Sequence, residues 1–111
     1  MNKIDKYIIN DYRIDINSND QKEGYVYFVT SDLLNAIKIG MWRSNINSLY
    51  KRYKTVYGND ITIEYFYTEN ARKLEKIIHT KFDSNKITNE LFSKNEYYNY
   101  ILFTKQYLTN N

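Results

Sequence analysis

One stretch, residues 24–40 (GYVYFVTSDLLNAIKIG), constrains most strongly what this chain can fold into. Two runs rich in Val, Ile, Tyr and Phe, residues 25–30 and 36–41, flank the turn-forming Ser31-Asp32-Leu33-Leu34-Asn35. Such runs suit a pleated, half-buried surface, and the pattern predicts a β-hairpin. Period-2 alternation places Tyr25, Tyr27 and Val29 on one face of the first strand. In the second, Ile37, Ile39 and Met41 oppose Ala36, Lys38 and Gly40. A face carrying Lys38 and Gly40 is too polar and too small for a core, so it is the face on which to look for chemistry.

The chain has 111 residues, enough for one domain with its own core and too few for two. Thirteen tyrosines make that core aromatic and amphipathic. The absence of Cys excludes disulfides, thiolate metal sites and a Cys nucleophile. A net charge of +3 is compatible with a polyanionic partner without pointing to one. No apolar run reaches the roughly 18 residues of a membrane span. The opening MNKIDKYIIND carries acids inside its apolar part, unlike a secretion signal, so an intracellular location is expected.

Residues 1–23 read as an N-terminal extension, in which the alternation of residues 12–17 could add an edge strand. After the hairpin, Ile46, Leu49, Tyr50, Tyr53, Val56 and Tyr57 recur at helical spacing, and Gly58 stands where a helix C′ residue belongs. The spacing predicts a helix over 46–57, capped by Ser44 or Asn45. Arg52 lies at the border of its apolar stripe, where arginine stems usually drape over the core edge. Residues 61–67 alternate as a third strand, and Thr68 is positioned to cap the next helix with Glu69 in its first turn.

That second helix, ARKLEKIIHTKF, buries Ala71, Leu74, Ile78 and Phe82. At about 100° per residue, Glu75 falls about 40° from Ala71 and about 20° from Phe82. A carboxylate within or beside a buried stripe is costly without a cation, a donor or a metal as partner. His79 follows one turn later. A Glu–His pair at i, i+4 is commonly just a surface contact, and one His without an HExxH motif rules out a zinc-protease reading. Residues 83–92 read as a polar connection containing Asn89-Glu90-Leu91-Phe92. Ser93 to Glu96 has the S-x-x-E form of a capping box before a last, packing helix from residue 97 to about 108.

GYVY followed by KIG, a helix bearing Arg, an E-x-x-x-H helix and N-E-L-F, in that order, resembles the GIY-YIG nuclease superfamily. The resemblance is closest to its viral and phage branch, where the second motif often reads K-I-G. It covers about residues 24–92, within a domain read as residues 24–108 after the extension, and implies an α/β (α+β) fold: a three-stranded antiparallel sheet flanked by helices. It further implies a metal-dependent endonuclease acting on DNA with one Mg2+ or Mn2+ ion, located in the cytoplasm or in the host-cell compartment of a virus. Carried over, Tyr27 matches the first-motif Tyr and Ile39-Gly40 the end of the second. Arg52 matches the helix arginine and Glu75 the metal ligand. His79 and Glu90 match positions of the viral branch, with His79 placed among the catalytic residues. Tyr25, Gly40, Trp42, Arg43, Asn89 and Glu90 are the residues expected around the substrate.

These residue types suit phosphodiester hydrolysis. A metal at Glu75 can polarise phosphate and help the leaving oxygen, and Arg52 can clamp the phosphate bidentately. A tyrosine with its pKa lowered by Lys38, Arg52 and the metal can activate water, as a phenolate or by relaying a proton. The chain departs from the family where the second motif Tyr is replaced by Lys38, which supplies a point charge and no phenol. Lys38 belongs either to a rewired catalytic site or to a site kept only for binding, and Arg43 is the alternative cation to Arg52. Trp42 reads equally as a base-stacking lid or as core cover. The competing function is a non-catalytic nucleic-acid-binding or protein-interaction module, for which Tyr50-Lys51-Arg52-Tyr53-Lys54 interleaves aromatics with cations. With no appended recognition domain in 111 residues, low site specificity is expected, as a monomer or a homodimer.

Overall fold

A computed structural model describes residues 23–110. The edge strand expected at residues 12–17 lies outside the described residues. The chain runs β1 (Gly24–Ser31), β2 (Leu34–Trp42), α1 (Ile46–Tyr57), β3 (Thr62–Thr68) and α2 (Ala71–Lys81). A 3-10 turn then leads to β4 (Lys86–Thr88) and β5 (Leu91–Phe92), and a second one leads to α3 (Tyr97–Asn110).

The predicted hairpin forms with a tighter turn than its composition implies. Pairing continues to Ser31 and Leu34, leaving only Asp32 and Leu33 in the turn. Ser31 accounts for this: its Oγ accepts from the Leu33 amide at 3.1 Å and donates to the Tyr57 carbonyl at 3.2 Å, tying the turn to the end of α1. Helix α1 has the predicted bounds. Asn45 caps it, accepting from Ser48 N–H, and Gly58 ends it with a φ of 91° that side-chain-bearing residues rarely adopt. The cap of α2 is Asn70, whose side chain accepts from Lys73 N–H; Thr68 stays in β3 and Glu69 precedes the helix. Ser93 caps through Asn95 N–H, so the Ser93–Glu96 segment becomes a 3-10 turn in front of α3.

Among the described residues the sheet has five antiparallel strands in the order β3-β1-β2-β5-β4, not the three expected. The two added strands are a hairpin of three and two residues laid on the outer edge of β2 at Ile37 and Lys38. Strands that short carry no readable alternation, which is why this segment reads as a polar connection. Helices cover both sheet faces. On one, Leu49 and Tyr53 of α1 pack against Tyr27, Val29, Trp42, Ile61 and Ile63. On the other, Leu74 and Ile78 of α2 and Tyr100 and Ile101 of α3 pack against Val26, Phe28, Ile37, Ile39 and Phe92. The Tyr27 face thus owns an apolar cluster, contrary to its polar appearance in sequence, and its polar part is confined to the Lys38 end of β2.

The register sets Tyr27 opposite Gly40. A Cβ built on Gly40 would stand 2.5 Å from the Tyr27 hydroxyl oxygen and 2.7 Å from its Cζ. Glycine is therefore required here to admit the Tyr27 side chain, rather than to clear a path for substrate. Gly40→Ala is expected to lower the thermal midpoint by about 5 °C or more, as overpacking of about 1 kcal/mol does in a domain this size. Adding Tyr27→Ala should recover part of that loss, read by circular dichroism melting.

Candidate functional site

Beside β2 lies a cleft of about 250 Å³ lined by Tyr27, Lys38, Met41, Trp42, Arg43, Arg52, Tyr53, Arg72, Glu75 and Glu90. It straddles the strand edge, taking Arg52 and Tyr53 from one helical layer and Arg72 and Glu75 from the other. The edge opens because β5 is short: Ile39 N–H donates to the Glu90 carbonyl at 2.9 Å, and the β2–β5 ladder goes no further than Lys38.

Tyr27 is 4% exposed, and its hydroxyl lies 2.8 Å from that of Tyr53. Burial first, then the neighbouring Tyr53, push its pKa well above the ordinary phenol value, while Arg52 acts the other way. Tyr27 is consequently a neutral phenol, and the lowered pKa expected from nearby cations is not found, because desolvation outweighs them. Lys38 is half-buried and its ammonium sits 3.2 Å from the Glu90 carboxylate. Burial lowers its pKa, but Tyr53 and Glu90 together outweigh burial and the net shift is upward, so the lysine stays charged.

Glu75 points into the cleft with its side chain 17% exposed. Burial, reinforced by Glu90, raises its pKa to about 7, against the opposing pull of Arg72 and Lys38. His79 Nε2 lies 3.0 Å from the Ile39 carbonyl and 4.0 Å from Glu75 Oε2. Burial lowers the His79 pKa, so a neutral ring donates from Nε2 to the strand, with its edge against Phe92 at 4.8 Å between centroids. His79 is behind the cleft wall and secures the strand edge.

Arg52 is exposed, with its guanidinium carbon 5.8 Å from the Trp42 ring centroid and 5.9 Å from that of Tyr53. Stacked there, its planar fork is held at the cleft mouth. Trp42 is 4% exposed and its indole N–H donates to the Asn45 carbonyl at 2.8 Å, so of the two sequence readings the structure favours core cover and wall over a lid. Arg43 lines the cleft beside Arg52. Three expected substrate residues are not on the wall. Tyr25 is edge-on to Tyr65 and Tyr67, Gly40 lies beneath Tyr27, and Asn89 occupies the β4–β5 turn with a φ of 44°. Sequence reasoning missed Tyr53 and Arg72. A phenol one turn after Leu49 in a buried stripe needs a hydrogen-bond partner, and that was the available signal for Tyr53. Arg72 stands at i, i+3 from Glu75.

The T5orf172 domain model matches residues 24–106. The chain belongs to the T5orf172 domain family. T5orf172 domains are nuclease-like and fall within the GIY-YIG clan. Two proteins of Acanthamoeba polyphaga mimivirus are similar to the chain. "Uncharacterized protein R865" is 42% identical over 102 residues, covering 92% of this chain and 17% of its own length. "Uncharacterized protein L754" is 36% identical over 89 residues, covering 80% of this chain and 24% of its own length. The chain thus spans less than a quarter of each of these relatives. No solved structure matches it. Among the described residues, no helix is long and apolar enough to cross a membrane.

A divalent ion of the kind this clan implies can be tested against the donors present. Among the described residues, no three His, Cys, Asp or Glu side chains gather into a metal cage. What the T5orf172 cleft offers is one hard carboxylate at Glu75 whose charge is resisted by burial and by Glu90. That set suits Mg2+ or Mn2+, which keep several waters and accept phosphate oxygens, and does not suit Zn2+. The sign of the pH effect follows. Glu75 titrates near 7 when folded against 4.5 when unfolded. Its contribution to stability is therefore full below 4.5 and lost as pH rises through about 7. Glu75→Gln is expected to melt above wild type at pH 8 and level with it near pH 4. Millimolar Mg2+ should raise the wild-type midpoint at pH 8, EDTA should reverse this, and Glu75→Gln should respond to neither.

Proposed function

We propose that this domain is an endonuclease that hydrolyses DNA phosphodiester bonds with a single divalent metal ion, and that it is of the viral, K-I-G type. The observation that carries the reading is the convergence of Tyr27, Lys38, Arg52 and Glu75, from four elements and both helical layers, on one cleft. A bound Mg2+ or Mn2+ ion would polarise a phosphate oxygen and stabilise the leaving oxygen, with Glu75 holding it.

The remaining work belongs to the side chains. Arg52, its plane fixed over Trp42, clamps the phosphate and answers the charge that develops on it. Lys38 adds a second positive charge from the strand, tempered by Glu90. Tyr27 orients the attacking water through its hydroxyl. The hydrogen bond to Tyr53 fixes the direction of that hydroxyl, so Tyr27 positions the water as a neutral phenol and not as a phenolate. A second phenol from α1 thereby stands near the position where Lys38 has displaced one from β2. His79 acts by positioning β2 and Glu75 rather than on the substrate.

Two observations favour a second reading, a nucleic-acid-binding module without chemistry: Lys38 is paired with Glu90 and Tyr27 is held protonated. Nicking of supercoiled plasmid in Mg2+ or Mn2+ separates the two. The nuclease reading expects metal-dependent nicking that disappears in Glu75→Ala and falls about a hundredfold in Arg52→Ala. Salt-dependent binding without nicking, indifferent to Glu75→Ala, would establish the second reading.

A further inference from the structure

On the sheet face that carries Tyr27, the β1–β3 pairing sets Tyr25 opposite Tyr67 and Tyr27 opposite Tyr65. Tyr65 is 44% exposed and Tyr67 53%, large apolar surfaces on a sheet face whose other end α1 covers. Both meet Tyr25 edge-to-face, at 5.7 and 6.1 Å between centroids and 89° and 75° between planes. In each such contact the edge of one ring meets one face of the other, and the remaining ring surface of Tyr65 and Tyr67 stays exposed. The trio is continuous with the cleft, because Tyr25 is also paired across β2 with Trp42, on which Arg52 stacks. The cleft itself carries Arg43, Arg52 and Arg72. At the far rim Tyr67 donates its hydroxyl proton to Glu23 at 2.8 Å, while the acids Glu75 and Glu90 lie on the cleft wall itself.

We propose that Tyr25, Tyr65 and Tyr67 form a stacking platform for unpaired bases of a single strand next to the phosphate held in the cleft, so that the preferred substrate is DNA with a single-stranded segment. This rests on the nuclease reading for its partner and goes beyond it in naming the form of the DNA. Arginines at one end and uncovered ring faces at the other match a strand whose phosphate is gripped and whose neighbouring bases are splayed. A duplex keeps its base faces stacked inside and offers the tyrosines only sugar and phosphate. Adjacent strands lie about 4.8 Å apart, so β3 is about 10 Å from β2, within reach of the nucleotides beside the gripped phosphate.

The test is fluorescence anisotropy with a labelled single-stranded oligonucleotide and the matching blunt duplex, in EDTA at low salt, on the full chain. Tyr65→Ala/Tyr67→Ala is expected to weaken single-strand binding about tenfold or more and duplex binding little. Tyr65→Phe/Tyr67→Phe, which keeps the ring faces, should bind as wild type does. Equal single-strand affinity in wild type and the Ala pair overturns the platform, as does a loss of the same size in the Phe pair. Metal-dependent plasmid nicking by the Ala pair, measured alongside, tells a failed platform from a failed nuclease: nicking retained leaves the nuclease reading standing. A wild-type chain that binds neither oligonucleotide overturns the platform, and the nuclease reading falls with it if nicking is absent too.

Discussion

The pairing of Tyr27 with Gly40 is the contact on which the cleft depends. Any side chain at position 40 would collide with the tyrosine ring, so the two residues act as one unit across β1 and β2. With the ring admitted, its hydroxyl meets Tyr53 of α1, and α1 then seats Arg52 against Trp42. A slip of one residue would turn Tyr27, Lys38 and Trp42 to the opposite face, where Leu74 and Ile78 already pack. The apolar clusters on the two faces thus guard the register that the polar residues need.

Charge placement follows from where the sheet ends. The short β4–β5 hairpin brings Glu90 to Lys38 and then stops, leaving the β2 edge open for Glu75 to reach the same space from the other layer. Two carboxylates and two buried phenols share this space with three arginines and a lysine. The result is a site whose acid is only half ionised near neutrality and whose tyrosine is fully protonated. Such a site gains when a cation and an anionic substrate enter together, because each relieves a desolvation cost already incurred on folding. Glu75 is the clearest instance of stability given up on the cleft wall, its pKa raised by burial to about 7.

Much of this was legible in the sequence. The hairpin, the exact span of α1 with its Gly58 stop, the third strand and the acid inside the α2 stripe all follow from strong, long periodic signals. The N-terminal caps were less readable, since Thr68 and Asn70 are both good caps and only the end of β3 decides between them. The β4–β5 hairpin was hidden because its strands are too short to alternate. Tyr53 was hidden for another reason: in a stripe of Leu49, Tyr53 and Tyr57 a phenol looks like packing until its partner is located across the sheet. His79 shows the converse, a polar residue in a motif position whose nitrogen is occupied by a strand carbonyl.

On the proposed function, Glu75, brought to the β2 edge by this register, holds the divalent ion of a phosphodiester-cleaving cleft. Electron paramagnetic resonance of Mn2+ titrated into the chain at pH 8, with a short DNA duplex present, measures it directly. One Mn2+ taken up per chain by wild type, with uptake lost in Glu75→Gln, is the predicted result. Equal uptake by the two proteins, or none by wild type, would contradict it.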